Sequence, residues 1–348
     1  MTVSLMYSSN INQILLRNIH VLNASMPLFI NIKLDSFMQE YINTYPQSKI
    51  HTYNTNFEDH CSYKQSSHIN SNFSAQYQSE TKHDLVVMPF PKSKAELNFT
   101  LSMVAHATTK ETIIVIVGEN KSGIKSLNKA AKDTLINCQK HDAARHCLLY
   151  VASLAENLPP FTLEDWYEYY SVNINSIKIN VAALPGVFSQ KGLDKGTKVL
   201  LENMPQIPTG KLLDFGCGAG VIASFIGKSH PEIELNLLDV NALALESAKK
   251  TLTINQLTGN VFASNSLSEL KHTYDYVVSN PPFHQGLATN YNATETFLKG
   301  IKKHLAPSGH VLIVANSFLT YEPIMKAAIG NTTRLLTQQG FTIYQCNR

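Results

Sequence analysis

One short stretch restricts what this chain can fold into more than any other part of it. Residues 211–220 read Lys-Leu-Leu-Asp-Phe-Gly-Cys-Gly-Ala-Gly, an apolar run that passes into three glycines at alternate positions. Val221 to Lys228 then carries a helical pattern. Strand, glycine turn and helix, in that order, open a nucleotide-binding α/β sheet. A dinucleotide fold wants G-x-G-x-x-G, with the pyrophosphate on the helix N-terminus. The tighter G-x-G-x-G spacing suits a ligand without phosphates whose chain lies close against backbone. A second strand, Glu234 to Val240, ends at Asp239, 25 positions after Asp214, about where an acidic residue meets a ribose diol.

From Lys211 onward strands alternate with helices: strands at 211–215, 234–240, 260–264, 274–279 and 310–315, and helices at 221–228, 242–255, 293–305 and 322–329. Such alternation gives a doubly wound sheet. The last two strands, Arg334 to Gln338 and Phe341 to Gln345, lie too close for a helical crossover and should form an antiparallel hairpin at one edge. Asn241 reads as the N-cap of the helix after Asp239.

The chemistry is carried by Ser279-Asn280-Pro281-Pro282-Phe283-His284, directly after the strand Tyr274–Val278. Two prolines remove two N–H donors and hold the backbone extended. The Asn280 side-chain amide and the Pro281 carbonyl are then two acceptors at the carboxyl end of a strand, where open α/β sheets keep their ligands. Phe283 supplies a stacking face. This fork suits methyl transfer to a planar, amide-like nitrogen. Two acceptors that bind the two N–H hydrogens of an exocyclic amine pull the nitrogen toward tetrahedral geometry and aim its lone pair at a methyl group. A plain Pro-Pro strand terminator is the bland alternative. Glycine loop, ribose acid and Asn-Pro-Pro-Phe in this order point to an S-adenosylmethionine enzyme.

The 348 residues are enough for two domains, with boundaries expected at 1–165 and 166–348. The first half carries Asp84-Leu85-Val86-Val87, which lines up with Asp275-Tyr276-Val277-Val278 and puts Pro89 opposite Asn280. It reads as a worn copy of the second half, without a glycine loop or an acceptor amide. Its polar segment His51–Lys82 is expected to be strands and surface loops. Lys121, Lys125, Lys129 and Lys132 would share one face if 121–139 were helical, either a phosphate-binding stripe for RNA or an ordinary solvated face. In the connecting segment, the aromatic run Trp166–Tyr170 is expected to pack between the units. Asn173–Ala182 is expected as a strand or hairpin, and Phe188 and Lys195 are possible donor contacts.

Net charge is only +3, so nucleic-acid binding must come from local patches. The five cysteines are odd in number and form no C-x-x-C pair, which argues against a disulfide framework or a zinc site and suits a reducing cytosol. No run reaches membrane-spanning length. The expectation is a soluble cytoplasmic protein, monomeric, with no metal and no membrane partner.

The stretches LPGVFSQKGLDKG, LLDFGCGAGV, VFASN, VVSNPPFHQG and VANSFL in the second half, and VGENKSG in the first, resemble the ribosomal RNA small-subunit methyltransferase C family. The resemblance implies two tandem Rossmann-like class I methyltransferase domains, the N-terminal one degenerate. It also implies methylation of N2 of one guanine (guanine 1207) in 16S ribosomal RNA of the small subunit, with S-adenosylmethionine as donor. By this resemblance Asp214, Phe215, Gly216, Cys217, Gly218 and Gly220 form the donor loop, with Cys217 a small packing residue. Asp239 and Val240 take the ribose. Ala263, Ser264 and Asn265 hold the adenine, although many relatives have an acid there. Asn280 borders the donor, Asn280, Pro281, Pro282 and Phe283 hold the target base, and His284 is a candidate proton acceptor. The Asn-x-x-Phe core is shared with adenine-N6 and glutamine-N5 methyltransferases, which remain alternatives, as does a non-catalytic RNA-binding assembly factor.

Overall fold

The computed structural model describes residues 8–207, 209–281, 288–319 and 321–348, with side chains omitted for 288–293. The chain divides into two compact units, 1–166 and 167–348.

In the first unit α1 (Asn10–Arg17) precedes β1 (Pro27–Ile30), α2 (Ser36–Thr44), β2 (Ile50–Asn54), α3 (Phe57–Tyr63), β3 (Ile69–Phe73) and β4 (His83–Pro89). There follow α4 (Lys94–Val104), β5 (Thr108–Glu119), the short α5 (Leu127–Ala130), β6 (Leu135–Ala144) and β7 (Cys147–Leu154). The sheet order is β3-β2-β1-β4-β5-β7-β6. Strands through β5 pair in parallel, and β7 and β6 close the edge antiparallel.

The second unit opens with the hairpin β8 (Glu168–Ile174) and β9 (Ile177–Ala183), then α6 (Lys195–Glu202). Its main sheet and helices follow as β10 (Gly210–Phe215), α7 (Val221–Ser229), β11 (Ile233–Asp239), α8 (Ala242–Ile254), β12 (Asn260–Ala263), β13 (Tyr274–Ser279), α9 (Ala288–Gly300), β14 (Leu305–Asn316), α10 (Glu322–Ala328), β15 (Thr332–Gln338) and β16 (Phe341–Asn347). The order β12-β11-β10-β13-β14-β16-β15 repeats that of the first sheet, and the expected edge hairpin is β15–β16. Central strands read as unbroken apolar runs because helices cover both faces. Leu212, Leu213, Val277, Val311 and Ile313 are all fully buried. The order reverses between β10 and β13, which is the switch point where ligands bind beyond the carboxyl ends of the strands.

The β8–β9 hairpin turns on Asn175 and Ser176, both at positive φ (48° and 67°), as a tight two-residue turn requires. Its β9 edge is not left open. Ser247, Thr251 and Asn255, spaced four apart at one face and end of α8, bond the backbone of Leu184, Ala182 and Asn180. A helix face takes the place of a neighbouring strand.

Three expectations are corrected. Residues 121–139 are not one helix. Gly123 at φ 91° breaks the first turn, and the segment from Leu135 is drawn into antiparallel pairing with β7. The four lysines therefore share no helical face, and Lys121 pairs with Glu119 at 3.3 Å. The polar segment 51–82 includes a helix, α3, capped by the Asn56 side chain and anchored by buried Tyr63. Trp166 packs on Phe99 and Phe161 inside the first unit, while residues 168–170 belong to β8.

Candidate active site

The site is built where β10 and β13 end side by side. The hydroxyl of Ser279, wholly buried, donates to the Phe215 carbonyl at 2.7 Å and ties the two strand ends together. Beyond Phe215 the N–H groups of Gly216 and Cys217 both donate to the Leu238 carbonyl at 2.9 Å, which folds the glycine loop over the end of β11. Gly216, Gly218 and Gly220 all take left-handed backbone angles, φ 71°, 52° and 75°. A Cβ at Gly216 or Gly218 would meet no atom of the described residues within 4 Å, so among these residues the loop presents bare backbone to open space. Gly220 differs, since a Cβ there would stand 3.1 Å from Ala248 of α8; it permits helix packing rather than ligand approach.

Asp214 lies beneath the loop rather than on its surface. It is fully buried; one carboxylate oxygen accepts from the Ala223 N–H at 3.0 Å, and the other has no partner among the described residues. Burial pushes its carboxyl up to about 7, against the Ala223 N–H, which favours the charged form. Asp214 therefore braces the start of α7 from below. Asp239 is half-buried at the end of β11. Its oxygens accept from Gly218 N–H (3.0 Å) and Asn241 N–H (2.9 Å), so it joins the loop to the α8 cap. Burial raises its carboxyl while these two donors oppose the shift. Val240, half-buried, follows it. Cys217 is buried, and burial lifts its thiol well above the ordinary range, as befits a packing residue. Phe215 stacks on Phe297 with ring centroids 3.9 Å apart.

At the end of β12, Ser264 is buried and its hydroxyl is spent locally: it donates to Ser266 O and accepts from Glu269 N–H. It shapes the loop, and the exposed Asn265 is the side chain left facing outward. Phe188 is 54 % exposed and Lys195 is exposed.

Asn280 is half-buried just past β13, and Pro281 beside it is buried. Both hydrogens of the Asn280 amide are engaged: Nδ2 donates to Asp194 Oδ2 at 3.0 Å and to Thr197 Oγ1 at 2.8 Å. Among the described residues no donor reaches Asn280 Oδ1, which leaves it as an acceptor. Asp194 and Thr197 were not expected in this role. Asp194 is also the N-cap of α6, accepting from Thr197 N–H at 2.9 Å. The Asp-x-x-Thr spacing marks the cap in sequence, but nothing local marks its reach to Asn280 across 86 positions. Pro282, Phe283 and His284 lie outside the described residues. Among the described residues, no group of three or more His, Cys, Asp or Glu is placed to hold a metal ion, and no helix is long and apolar enough to cross a membrane. A recess of about 630 Å³ lined by Gln13, Leu16, Arg17, Ala144 and Arg145 belongs to the first unit and contains none of these residues.

A doubly wound sheet with a glycine loop at its switch point and an acceptor amide on the neighbouring strand end defines a class I methyltransferase. The chain matches the family models described as methyltransferase small domain over residues 178–345 and methyltransferase small domain N-terminal over 12–170. It is 51% identical over 346 residues to the ribosomal RNA small subunit methyltransferase C of Colwellia psychrerythraea, covering 97% of each chain. It is 40% identical to that of Vibrio parahaemolyticus over 299 residues, 86% of this chain and 87% of the relative. The chain belongs to the ribosomal RNA small subunit methyltransferase C family. A solved Thermus thermophilus 16S ribosomal RNA guanine-1207 N2 methyltransferase, in complex with S-adenosylmethionine and guanosine, shares the fold with a TM-score of 0.83 at 20% identity, over 98% of this chain and 92% of that one.

Proposed function

We propose that this protein transfers a methyl group from S-adenosylmethionine to the N2 amine of a guanine in 16S ribosomal RNA, acting as a cytoplasmic monomer on the small ribosomal subunit. The observation that carries the reading is the Asn280 amide, held with its oxygen unspent among the described residues at a strand end tied to the glycine loop. Membership of the family supports the substrate.

The residues fit the donor. The backbone at Gly216 and Gly218 is bare and faces open space, as a chain lying along it requires. Asp239 keeps acceptor capacity for a ribose diol beyond its two backbone donors. When bound, S-adenosylmethionine supplies an electrophilic methyl carbon on a sulfonium. Asn280 Oδ1 accepts one N–H of the guanine amine, and the Pro281 carbonyl is the candidate second acceptor. The amine lone pair is delocalised into the ring, so acceptors that favour a tetrahedral nitrogen stabilise the transition state more than the ground state. The base must leave its stack to reach this point. The extra proton of the product passes to water.

The test is methyl transfer from isotopically labelled donor to small subunits from cells lacking the protein, followed by digestion to nucleosides. Label is expected in N2-methylguanosine. Label in N6-methyladenosine, in protein glutamine, or nowhere overturns the assignment. An adenine-N6 or glutamine-N5 enzyme would use the same fork, so the labelled product separates these readings.

A further inference from the structure

We propose that Asp194 and Thr197 are positioning residues that lock the Asn280 amide with its oxygen outward, and so restrict the site to a substrate atom that bears hydrogens. This rests on the methyl-transfer reading above.

A side-chain amide is nearly symmetric in shape, and its two faces are opposite in chemistry. Turned over, Asn280 would offer an NH₂ to the incoming amine. It would then pair donor with donor and instead suit a carbonyl such as guanine O6. Nothing within Asn280 itself decides between the two orientations. The neighbours decide it. Asp194 is a carboxylate and can only accept; its Oδ2 lies 3.0 Å from Asn280 Nδ2. The Thr197 hydroxyl could donate or accept, but its proton is directed to Asp194 Oδ2 at 3.4 Å, which leaves its lone pair for Asn280 Nδ2 at 2.8 Å. Turning the amide over would place its oxygen against that carboxylate and lone pair. The cap is what holds Asp194 there: the same Oδ2 accepts from Thr197 N–H at 2.9 Å, so the first turn of α6 carries both acceptors as one rigid piece. Thr197 is buried, which keeps water from substituting for the missing acceptor.

Three variants separate this role from simple support of the fold. Thr197→Val keeps the shape and removes the acceptor. Thr197→Ser keeps the acceptor. Asp194→Ser keeps an N-cap oxygen but shortens its reach to Asn280. Single-turnover methyl transfer to the small subunit is expected to fall about tenfold or more in Thr197→Val and Asp194→Ser, with donor affinity held within about twofold, and to recover in Thr197→Ser. In an Asn280→Ala background, Thr197→Val and Asp194→Ser should each change the rate by less than about twofold, since they act through Asn280 alone. An equal loss in both backgrounds, or no loss beside native Asn280, overturns the proposal. A second readout does not depend on substrate. In ¹⁵N spectra of the full-length free protein, the two Asn280 amide hydrogens should be shifted apart and slow to exchange, and both features should be lost in Thr197→Val/Asp194→Ser. If native protein labels no guanine N2, the functional reading fails, whereas fast-exchanging Asn280 hydrogens would refute the lock itself.

Discussion

The site depends on a few atoms whose surroundings set their chemistry. On the proposed methyl-transfer reading, replacing Asn280 by Ala removes an acceptor that acts chiefly in the transition state, so turnover should fall on the order of 10²-fold while donor affinity measured by calorimetry stays near native. Gly218→Ala tests the other partner. A left-handed alanine costs about 1–2 kcal/mol, and the new methyl meets no atom of the described residues within 4 Å. Thermal stability should drop slightly, and, on the proposed placement of the donor along this loop, donor affinity should fall about tenfold or more because the methyl enters the space proposed for it. Asp214 makes a prediction about pH. Its carboxyl is raised from 3.8 to about 7 in the folded protein, so below 3.8 it is protonated whether folded or not. Between 3.8 and about 7 the unfolded chain ionises while the folded one holds its proton, and stability declines with rising pH by up to about 1.4 kcal/mol per unit. Asp214→Asn removes that slope. Denaturant titrations at pH 5 and pH 8 should show native protein losing about 1–3 kcal/mol more than the variant; parallel losses would mean Asp214 does not titrate in that window.

At the scale of elements, the β9 segment of the second unit would have unpaired backbone groups without α8, which covers them. Thr251 accepts from the Ala182 N–H at 3.0 Å and returns a bond to the Ala182 carbonyl, with no solvent exposure. Thr251→Val would strand both groups in a dry interface, at a cost of about 1–3 kcal/mol, whereas Thr251→Ser should be nearly neutral. Equilibrium unfolding of the two variants checks this, and equal stabilities would show that water replaces the lost hydroxyl. This docking was not legible in the sequence, because nothing local to Ser247, Thr251 and Asn255 marks their reach to backbone 63–75 positions away. The glycine loop, its flanking strand and helix, and the end of β13 before Asn280-Pro281 were legible, since each depends on local backbone chemistry that only glycine or proline supplies. The expected helix over 121–139 failed for the opposite reason. Its lysine spacing was helical, yet pairing of β6 with β7 is a long-range contact that local periodicity does not register. The partners of Asn280 were hidden likewise, brought to it by the fold from α6.

Across the whole molecule, the two sheets share more than their order. Leu28 pairs with Val86 and His51 as Leu213 pairs with Val277 and Asn236, which sets the two units in register. Asp84 accepts from Met26 N–H at the foot of β1 as Asp275 accepts from Lys211 N–H at the foot of β10. In that register Asn31 stands at Gly216 and keeps a left-handed angle (φ 49° against 71°), and its N–H donates to Tyr53 O as that of Gly216 donates to Leu238 O. The helices α2 and α7 fall into step, and Asn56 caps α3 as Asn241 caps α8. The loop has kept its path and lost its emptiness. Phe29 replaces Asp214, Lys33 and Asp35 replace Gly218 and Gly220, Asn54 replaces Asp239, and Pro89 replaces Asn280. Asn31 Oδ1 accepts from the Thr55 N–H at 2.8 Å, so a side chain now fills the place of bare backbone. The sequence showed this kinship only over Asp84–Val87, because the backbone outlasted the residues that would have announced it. The first unit should therefore bind no donor. Calorimetric titration of the full chain with S-adenosylmethionine should give one site, and Asp239→Ala, which removes the proposed ribose acceptor along with the acceptor for the Gly218 and Asn241 N–H groups in the second unit alone, should weaken that single site without uncovering another. Two sites in the native chain, or a residual site of unchanged affinity in the variant, would mean that the filled loop still accepts the donor.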